Sequence, residues 1–150
     1  MRLLQNESVE LVHEDRRITL AGVVRDPKDP AGNALVERLA APGGDDLRVL
    51  LAHKPDWALR LPEGGRIDLV VAGHTHGGQV RLPFVGPLIT LTRVPREMAG
   101  GGLFTLCGSP LYVSRGVGCE RGDAPRVRFN CPPEVTLLTL RTAGAVLAGP

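Results

Sequence analysis

A short apolar run that stops abruptly at two histidines constrains the fold of this chain more than any other feature. The run Leu69–Ala72 is rich in β-branched residues, and it is followed by the sequence Gly-His-Thr-His-Gly-Gly at residues 73–78. Such a run is typical of a strand covered on both faces, and ligand sites in α/β sheets lie beyond the carboxyl ends of such strands. The flanking glycines permit sharp turns, so both imidazoles can converge on one site.

A third histidine ends another apolar run. Strand-like residues 47–52 lead directly to His53. A lone histidine in such a position is more often a hydrogen-bonded core residue, but the repetition favours a metal site. If the two runs are neighbouring parallel strands, they bring His53, His74 and His76 to one sheet edge. Imidazole ligands suggest Zn, Mn, Fe, Co or Ni before Ca.

The first half of the chain predicts an α/β fold. Alternating residues 8–13, a charged turn at residues 14–17 and an apolar return at residues 18–24 indicate a hairpin, with His13 as an exposed surface residue. A loop at residues 26–30 precedes helical spacing at residues 33–41, and Pro55 begins a second, short helix. Strands and helices therefore alternate.

For each of two aspartates in this first half, a structural role is weighed against a role as metal ligand. Asp26 follows the returning strand of the hairpin, and we expect it to cap its loop instead of binding a metal. Asp56 follows Pro55 near a helix start, where a carboxylate commonly caps the helix, so we expect a cap instead of a ligand.

Beyond Gln79 the periodicity changes. Prolines and glycines predict a long loop over the site, and three apolar strands follow at residues 103–107, 111–114 and 135–140, as an antiparallel second sheet or sheet edge. Residues 142–150 predict a frayed tail. Five arginines in or near these loops are mostly surface charges, although one or two could bind a phosphate in bidentate fashion: Arg93, Arg96, Arg115, Arg126 and Arg128.

Composition argues against several other classes of protein. A net charge of +2 and 3% aromatic residues give no nucleic-acid-binding signature. No apolar segment approaches the roughly 20 residues that span a bilayer, and no signal peptide is evident, so the chain as written is expected to be soluble and cytoplasmic. Three cysteines without a CxxC pair indicate thiols or small core residues: Cys107, Cys119 and Cys131.

The segments AHKPD, DLVVAGHTHGGQVRLP, LYVSRGVG and PPEVTLLTL closely resemble the C-terminal half of calcineurin-like metallophosphoesterases. Within that superfamily the chain is most similar to a bacterial, often membrane-associated branch, related to cell-wall phosphoesterases and UDP-diacylglucosamine pyrophosphohydrolases. The resemblance implies that residues 1–141 are the C-terminal part of a four-layer α/β/β/α sandwich with a mixed sheet. It also implies a dinuclear centre that hydrolyses phosphodiesters or pyrophosphates, with His53 and His74 on one metal and His76 on the other.

The family also uses DxH, GDxxD and GNHD/E motifs, and none of them occurs in these residues. The bridging carboxylate, two further ligands and the general-acid histidine are therefore missing. We expect a fragment that needs an N-terminal half, binds at most one ion weakly and is inactive alone. Membrane association is expected only through a missing N-terminal segment. The alternative is a non-catalytic metal-binding or vestigial domain.

Overall fold

The computed structural model describes residues 2–120, 122 and 126–141, and these form an α/β fold around a six-stranded mixed sheet. The elements of this sheet are β1 (Glu7–His13), β2 (Arg16–Gly22), β3 (Leu47–Ala52), β4 (Leu69–Ala72), β7 (Gly102–Leu106) and β8 (Ser109–Val113). Its order is β1-β2-β3-β4-β8-β7. The four inner strands run parallel, while β1 and β7 pair antiparallel at the two edges. The remaining elements are α1 (Pro30–Leu39), α2 (Arg96–Ala99), 3₁₀ helices at Pro55–Arg60 and His76–Gly78, and a small hairpin of β5 (Arg81–Leu82) and β6 (Gly86–Pro87).

The N-terminal hairpin confirms the prediction from alternation. Its turn consists of Glu14 and Asp15, whose φ angles of 48° and 60° suit the right-handed twist of the flanking strands. His13 is the last residue of β1 before this turn, and 78% of its side chain is exposed. The predicted surface role of His13 is therefore confirmed.

Helix α1 begins three residues earlier than its periodicity predicted. The carboxylate of Asp29 accepts a hydrogen bond from the backbone N–H of Gly32 at 2.8 Å, and Pro30 occupies the first turn. A proline tolerates this place because its fixed φ suits a helix and the first N–H groups have no partner within the helix. The helix ends at Leu39 instead of residue 41.

The main core lies on one face of the sheet. Leu35, Val36 and Leu39 of α1 pack with Leu50, Val70 and Leu111 of the strands and with Trp57, and all are buried. The indole N–H of Trp57 donates to the carbonyl of Val24 at 2.8 Å, which ties the 3₁₀ helix to the end of β2. Burial of each large side chain stabilises the fold by about 1.5–3 kcal/mol.

The opposite face is apolar but thinly covered. Val49, Leu69 and Tyr112 form a small buried cluster there, with Leu20, Leu47 and Val71 partly buried around it. Leu51, which alternation places on the same face, is 38% exposed. Parallel sheets are normally covered on both faces, so this face has the character of a contact surface.

The C-terminal half decides one open alternative and corrects the predictions in two respects. Strands β7 and β8 form near their predicted places and extend the main sheet as an antiparallel edge, which confirms the sheet-edge alternative over a second sheet. Helix α2 was not predicted. No strand forms at residues 135–140, where Val135 and Leu137 are 89% and 91% exposed. An apolar segment becomes a strand only where a neighbouring strand supplies hydrogen bonds, and this segment does not pair with one.

Three further predictions concern the cysteines, membrane-spanning helices and the C-terminal tail. Cys107, Cys119 and Cys131 are free thiols, and Cys131 is buried, as predicted. Across the described part of the chain, no helix has the length and apolar character needed to cross a membrane. The predicted tail at residues 142–150 lies outside the described residues.

Candidate metal centre

His53 and His74 meet at the carboxyl edge of the sheet. Ala52 and Ala72, the last residues of β3 and β4, are register partners, so the residues that follow them leave the sheet side by side. The backbone N–H of Gly73 donates to the carbonyl of His53 at 3.2 Å. The two imidazole rings lie 4.8 Å apart between centroids, at an interplanar angle of 54°. The structure thus brings together two of the three predicted ligands, while their role as ligands stays a prediction.

His76 occupies the next turn. Its Nδ1 lies 3.2 Å from the carbonyl oxygen of Gly118, and a protonated His76 is close enough to lower the pKa of His53. Within residues 2–120, 122 and 126–141, however, no group of three or more His, Cys, Asp and Glu side chains is arranged as a complete metal site. The three imidazoles therefore lie in one region without a joining carboxylate.

The turn that carries the histidines has an unusual backbone. His74, His76 and Gln79 have φ angles of 70°, 48° and 54°, and Gly77 and Gly78 between them have 63° and 77°. These positive φ angles lie on the left-handed side of backbone space, where each non-glycine residue raises the free energy of the fold by about 1–2 kcal/mol. Such strain concentrates at functional sites. Gly77 and Gly78 thus turn the chain as predicted, whereas Gly73 lies outside the left-handed region and the first turn is made by His74 itself.

Close packing explains the two glycines after His76. A Cβ atom on Gly77 would lie 2.6 Å from Sγ of Cys131, and one on Gly78 would lie 2.3 Å from Cβ of Pro87. The turn is therefore held between the β5–β6 hairpin and the segment around Cys131.

Gln79 and Arg128 anchor this turn from the other side. Gln79 is 1% exposed, its side-chain oxygen accepts from the backbone N–H of Glu120, and its carbonyl accepts from that of Phe129 at 2.8 Å. The guanidinium of Arg128 donates to five carbonyl oxygens, those of His76, Arg115, Gly116, Gly118 and Cys131. Sequence reasoning treated Arg128 as surface charge or a phosphate ligand, because no local pattern links it to a turn 52 residues away.

The environment keeps the contacting histidines neutral. Partial burial lowers the pKa of His53, nearby Arg25, Lys54 and His76 lower it further, and Glu120 opposes them. Burial is also the main cause that lowers the pKa of His74, followed by His53, and Lys54 and Arg25 contribute as well. Neutral imidazole is the form that binds metal ions.

Backbone carbonyl groups determine which ring nitrogen of His74 and of His76 is free to bind a metal ion. Nε2 of His74 lies 3.2 Å from the carbonyl oxygen of Leu91, while Nδ1 of His76 faces that of Gly118. A carbonyl only accepts hydrogen bonds, so the facing nitrogen carries the proton and the other nitrogen keeps its lone pair. Metal-binding histidines are commonly held in this way. The donor chemistry thus fits a transition-metal ion, although the described donors are too few for two ions.

The two aspartates have structural roles. Asp26 accepts from the backbone N–H of Lys28 at 3.0 Å, which confirms the predicted loop cap. The cap prediction for Asp56 is wrong, because Lys54 occupies the N-cap position of that helix without a side-chain bond. The Asp56 carboxylate instead accepts from the hydroxyl of Thr92 and from the backbone N–H of Arg93.

Comparison with known proteins finds metallophosphoesterases among the relatives of this chain. The chain is 41% identical to the metallophosphoesterase YkuE of Bacillus subtilis over 96 residues, covering 63% of this chain and 31% of that protein. It is 41% identical to the phosphodiesterase YaeI of Escherichia coli over 93 residues, covering 62% of this chain and 32% of that protein. The chain is related to the calcineurin-like metallophosphoesterases.

A third relative extends the match over most of the chain. The UDP-2,3-diacylglucosamine pyrophosphatase LpxG of Chlamydia trachomatis is 29% identical over 143 residues, covering 91% of this chain and 40% of that protein. The matches lie in the C-terminal part of these relatives, and the chain spans between about a third and two fifths of their length. No family model matches the chain, and no solved structure matches it significantly.

Proposed function

We propose that this chain is the C-terminal part of a metal-dependent phosphoesterase that hydrolyses phosphodiesters or pyrophosphates at a dinuclear centre. The observation that carries the proposal is the ring contact between His53 and His74, at the carboxyl edge of two parallel strands and beside a strained turn. The relation to metallophosphoesterases supports this reading of the contact.

In this proposal His53, His74 and His76 hold metal ions and do not act as bases. When bound, divalent ions such as Mn, Zn, Fe, Co or Ni polarise a phosphoryl group and lower the pKa of water. The chain's own contribution is positional. The carbonyls of Leu91 and Gly118 orient His74 and His76, and the lowered pKa of His53 and His74 keeps both available near neutral pH.

We further propose that residues 1–141 complete a four-layer sandwich with a segment outside these 150 residues. That segment would carry the DxH, GDxxD and GNHD motifs, and thus the bridging carboxylate, further ligands and the general acid. The thinly covered sheet face around Val49, Leu69 and Tyr112 is a suitable surface for the rest of the sandwich.

A second candidate function is a non-catalytic or vestigial metal-binding domain. It is favoured by one observation: among the described residues, no carboxylate joins the three imidazoles in a site. Without negative ligands, two adjacent divalent ions would repel each other strongly. In this alternative the chain binds one ion, and no added segment creates hydrolysis.

Metal titration tests the ligand assignment. In calorimetric titrations with Zn²⁺ or Mn²⁺, the chain should bind about one ion weakly, and His74→Ala and His76→Ala should each reduce binding far more than His13→Ala does. His13 is the matched control because it is exposed on the hairpin. Equal losses for all three variants would refute the assignment.

Reconstitution separates the two candidates. The chain alone should not hydrolyse bis-p-nitrophenyl phosphate above a metal-only blank, whereas a protein that also carries the missing motifs should show Mn-dependent hydrolysis. In that protein His74→Ala should lower the rate by several orders of magnitude, and Cys119→Ser should change it little. EDTA-sensitive turnover by the isolated chain that survives His74→Ala would show that the chemistry resides elsewhere.

A further inference from the structure

A basic cleft lies next to the histidines. Its volume is about 310 Å³, and its charged lining consists of Asp26, Lys28, Lys54, Asp56, Arg60 and Arg93. Four cationic side chains therefore face two carboxylates across one opening. The chain has only two lysines, Lys28 and Lys54, and both line this cleft.

The positive charges of this cleft are available to a ligand. In the described part of the chain, none of the four cationic side chains forms an ion pair. Both carboxylates already accept hydrogen bonds: Asp26 from the backbone N–H of Lys28, and Asp56 from Thr92 and the backbone N–H of Arg93. An anion entering the cleft would thus meet four cations without an ion-pair partner and two carboxylates whose negative charge these hydrogen bonds partly offset.

One loop joins the cleft to the candidate metal centre. The carbonyl of Leu91 faces His74, while the next two residues, Thr92 and Arg93, bind the Asp56 carboxylate in the cleft. Lys54 follows His53 directly, and its charge lowers the pKa of both His53 and His74. The positive charge of Lys54 therefore acts both in the cleft and on the histidines.

We propose that this cleft binds a second phosphate group of the substrate, so that the preferred substrates carry another phosphate beside the one that is hydrolysed. Guanidinium groups such as those of Arg60 and Arg93 can bind phosphate oxygens in pairs, and Lys28 and Lys54 add mobile point charges. The assignment to a substrate rests on the proposed function. The anion site itself rests only on the cleft.

The two lysines permit a direct test in the presence of EDTA. Reductive ¹³C-methylation keeps the charge of lysine and labels only Lys28, Lys54 and an α-amino group. Pyrophosphate should shift both lysine signals at lower concentration than inorganic phosphate does, because two anionic groups meet several cations. Calorimetry on the unmethylated chain should show that Lys54→Gln and Arg93→Gln each weaken pyrophosphate binding about fivefold, the upper range for a partly exposed charge contact.

Arg16→Gln is the matched control, because Arg16 is an exposed cation on the N-terminal hairpin. It should leave pyrophosphate binding unchanged, and the fluorescence of Trp57, the single tryptophan, verifies that each variant is folded. Absent lysine shifts, or equal weakening by Arg16→Gln and Arg93→Gln, would overturn the anion site. Because EDTA removes metal, anion binding without metal binding would refute the proposed function alone, and metal binding without anion binding would refute the cleft alone.

Discussion

The rings of His53 and His74 touch across two neighbouring strands, with centroids 4.8 Å apart. The contact results from the register of β3 and β4, in which Ala52 is the partner of Ala72. A shift of one residue would turn the following side chains to the opposite face, because side chains alternate along a strand. Strand register thus decides whether two imidazoles can share one ion.

The contacting histidines should make the stability of the metal-free protein depend on pH. Both pKa values are lowered from the ordinary value of 6.5, so between the lowered values and 6.5 the unfolded chain binds more protons than the folded chain. The free energy of unfolding should therefore be highest above about pH 7 and fall as the pH drops through the window between 6.5 and the lowered pKa values.

Urea unfolding at pH 5.5 and 7.5 in EDTA, followed by Trp57 fluorescence, measures this dependence. His53→Gln combined with His74→Gln should flatten it, and His13→Gln should not. Asp46 and Glu134, whose pKa values are lowered from 3.8 and 4.5, change charge at lower pH and do not interfere. An unchanged slope in the double variant would show that other groups titrate in this window.

Arg128→Met should destabilise the turn that carries His76. The guanidinium of Arg128 binds five carbonyl groups, and the loss of charge-assisted hydrogen bonds costs about 1.5–3 kcal/mol. Metal affinity should fall as well, because the backbone of His76 is no longer held. Arg126→Met, at an exposed neighbouring arginine, should change both quantities little. Equal effects of the two variants in urea unfolding and metal titration would contradict the anchoring role.

Gly78→Ala should be far more destabilising than Gly64→Ala. Both glycines have left-handed backbones, with φ of 77° and 70°, so both variants incur about 1–2 kcal/mol of backbone strain. Only Gly78 also faces a close contact, since its new Cβ would lie 2.3 Å from Cβ of Pro87. Overpacking adds about 1–3 kcal/mol. Similar midpoints of urea unfolding for both variants would show that the β5–β6 hairpin shifts to accommodate the new Cβ atom at little cost in stability.

The thinly covered sheet face should make the chain self-associate. Leu51 is 38% exposed beside the cluster of Val49, Leu69 and Tyr112, and exposed apolar surface of this kind favours association. Sedimentation velocity should show species that grow with concentration, and Leu51→Thr should reduce them more than Val12→Thr, a change at a 71% exposed hairpin residue. A monomer at every concentration would contradict this use of the face.

Local patterns determined several elements of this protein and the place of its candidate site. Alternation predicted the hairpin, and the apolar runs predicted β3 and β4 with their terminal histidines. These predictions succeeded because neighbouring residues alone decide which side chains a strand presents to each face. The predicted start of α1 was too late in the chain. Whether Pro30 can begin a helix depends on the cap that Asp29 provides, and periodicity does not show that cap.

Only the tertiary structure decided how these elements act together. It set the left-handed backbone at His74 and His76, the five carbonyls around Arg128 and the cleft that gathers both lysines. It also left residues 135–140 without a strand partner despite their apolar, strand-like composition. Each of these features depends on contacts between residues far apart in the chain, and local periodicity carries no information about which distant backbone groups become neighbours.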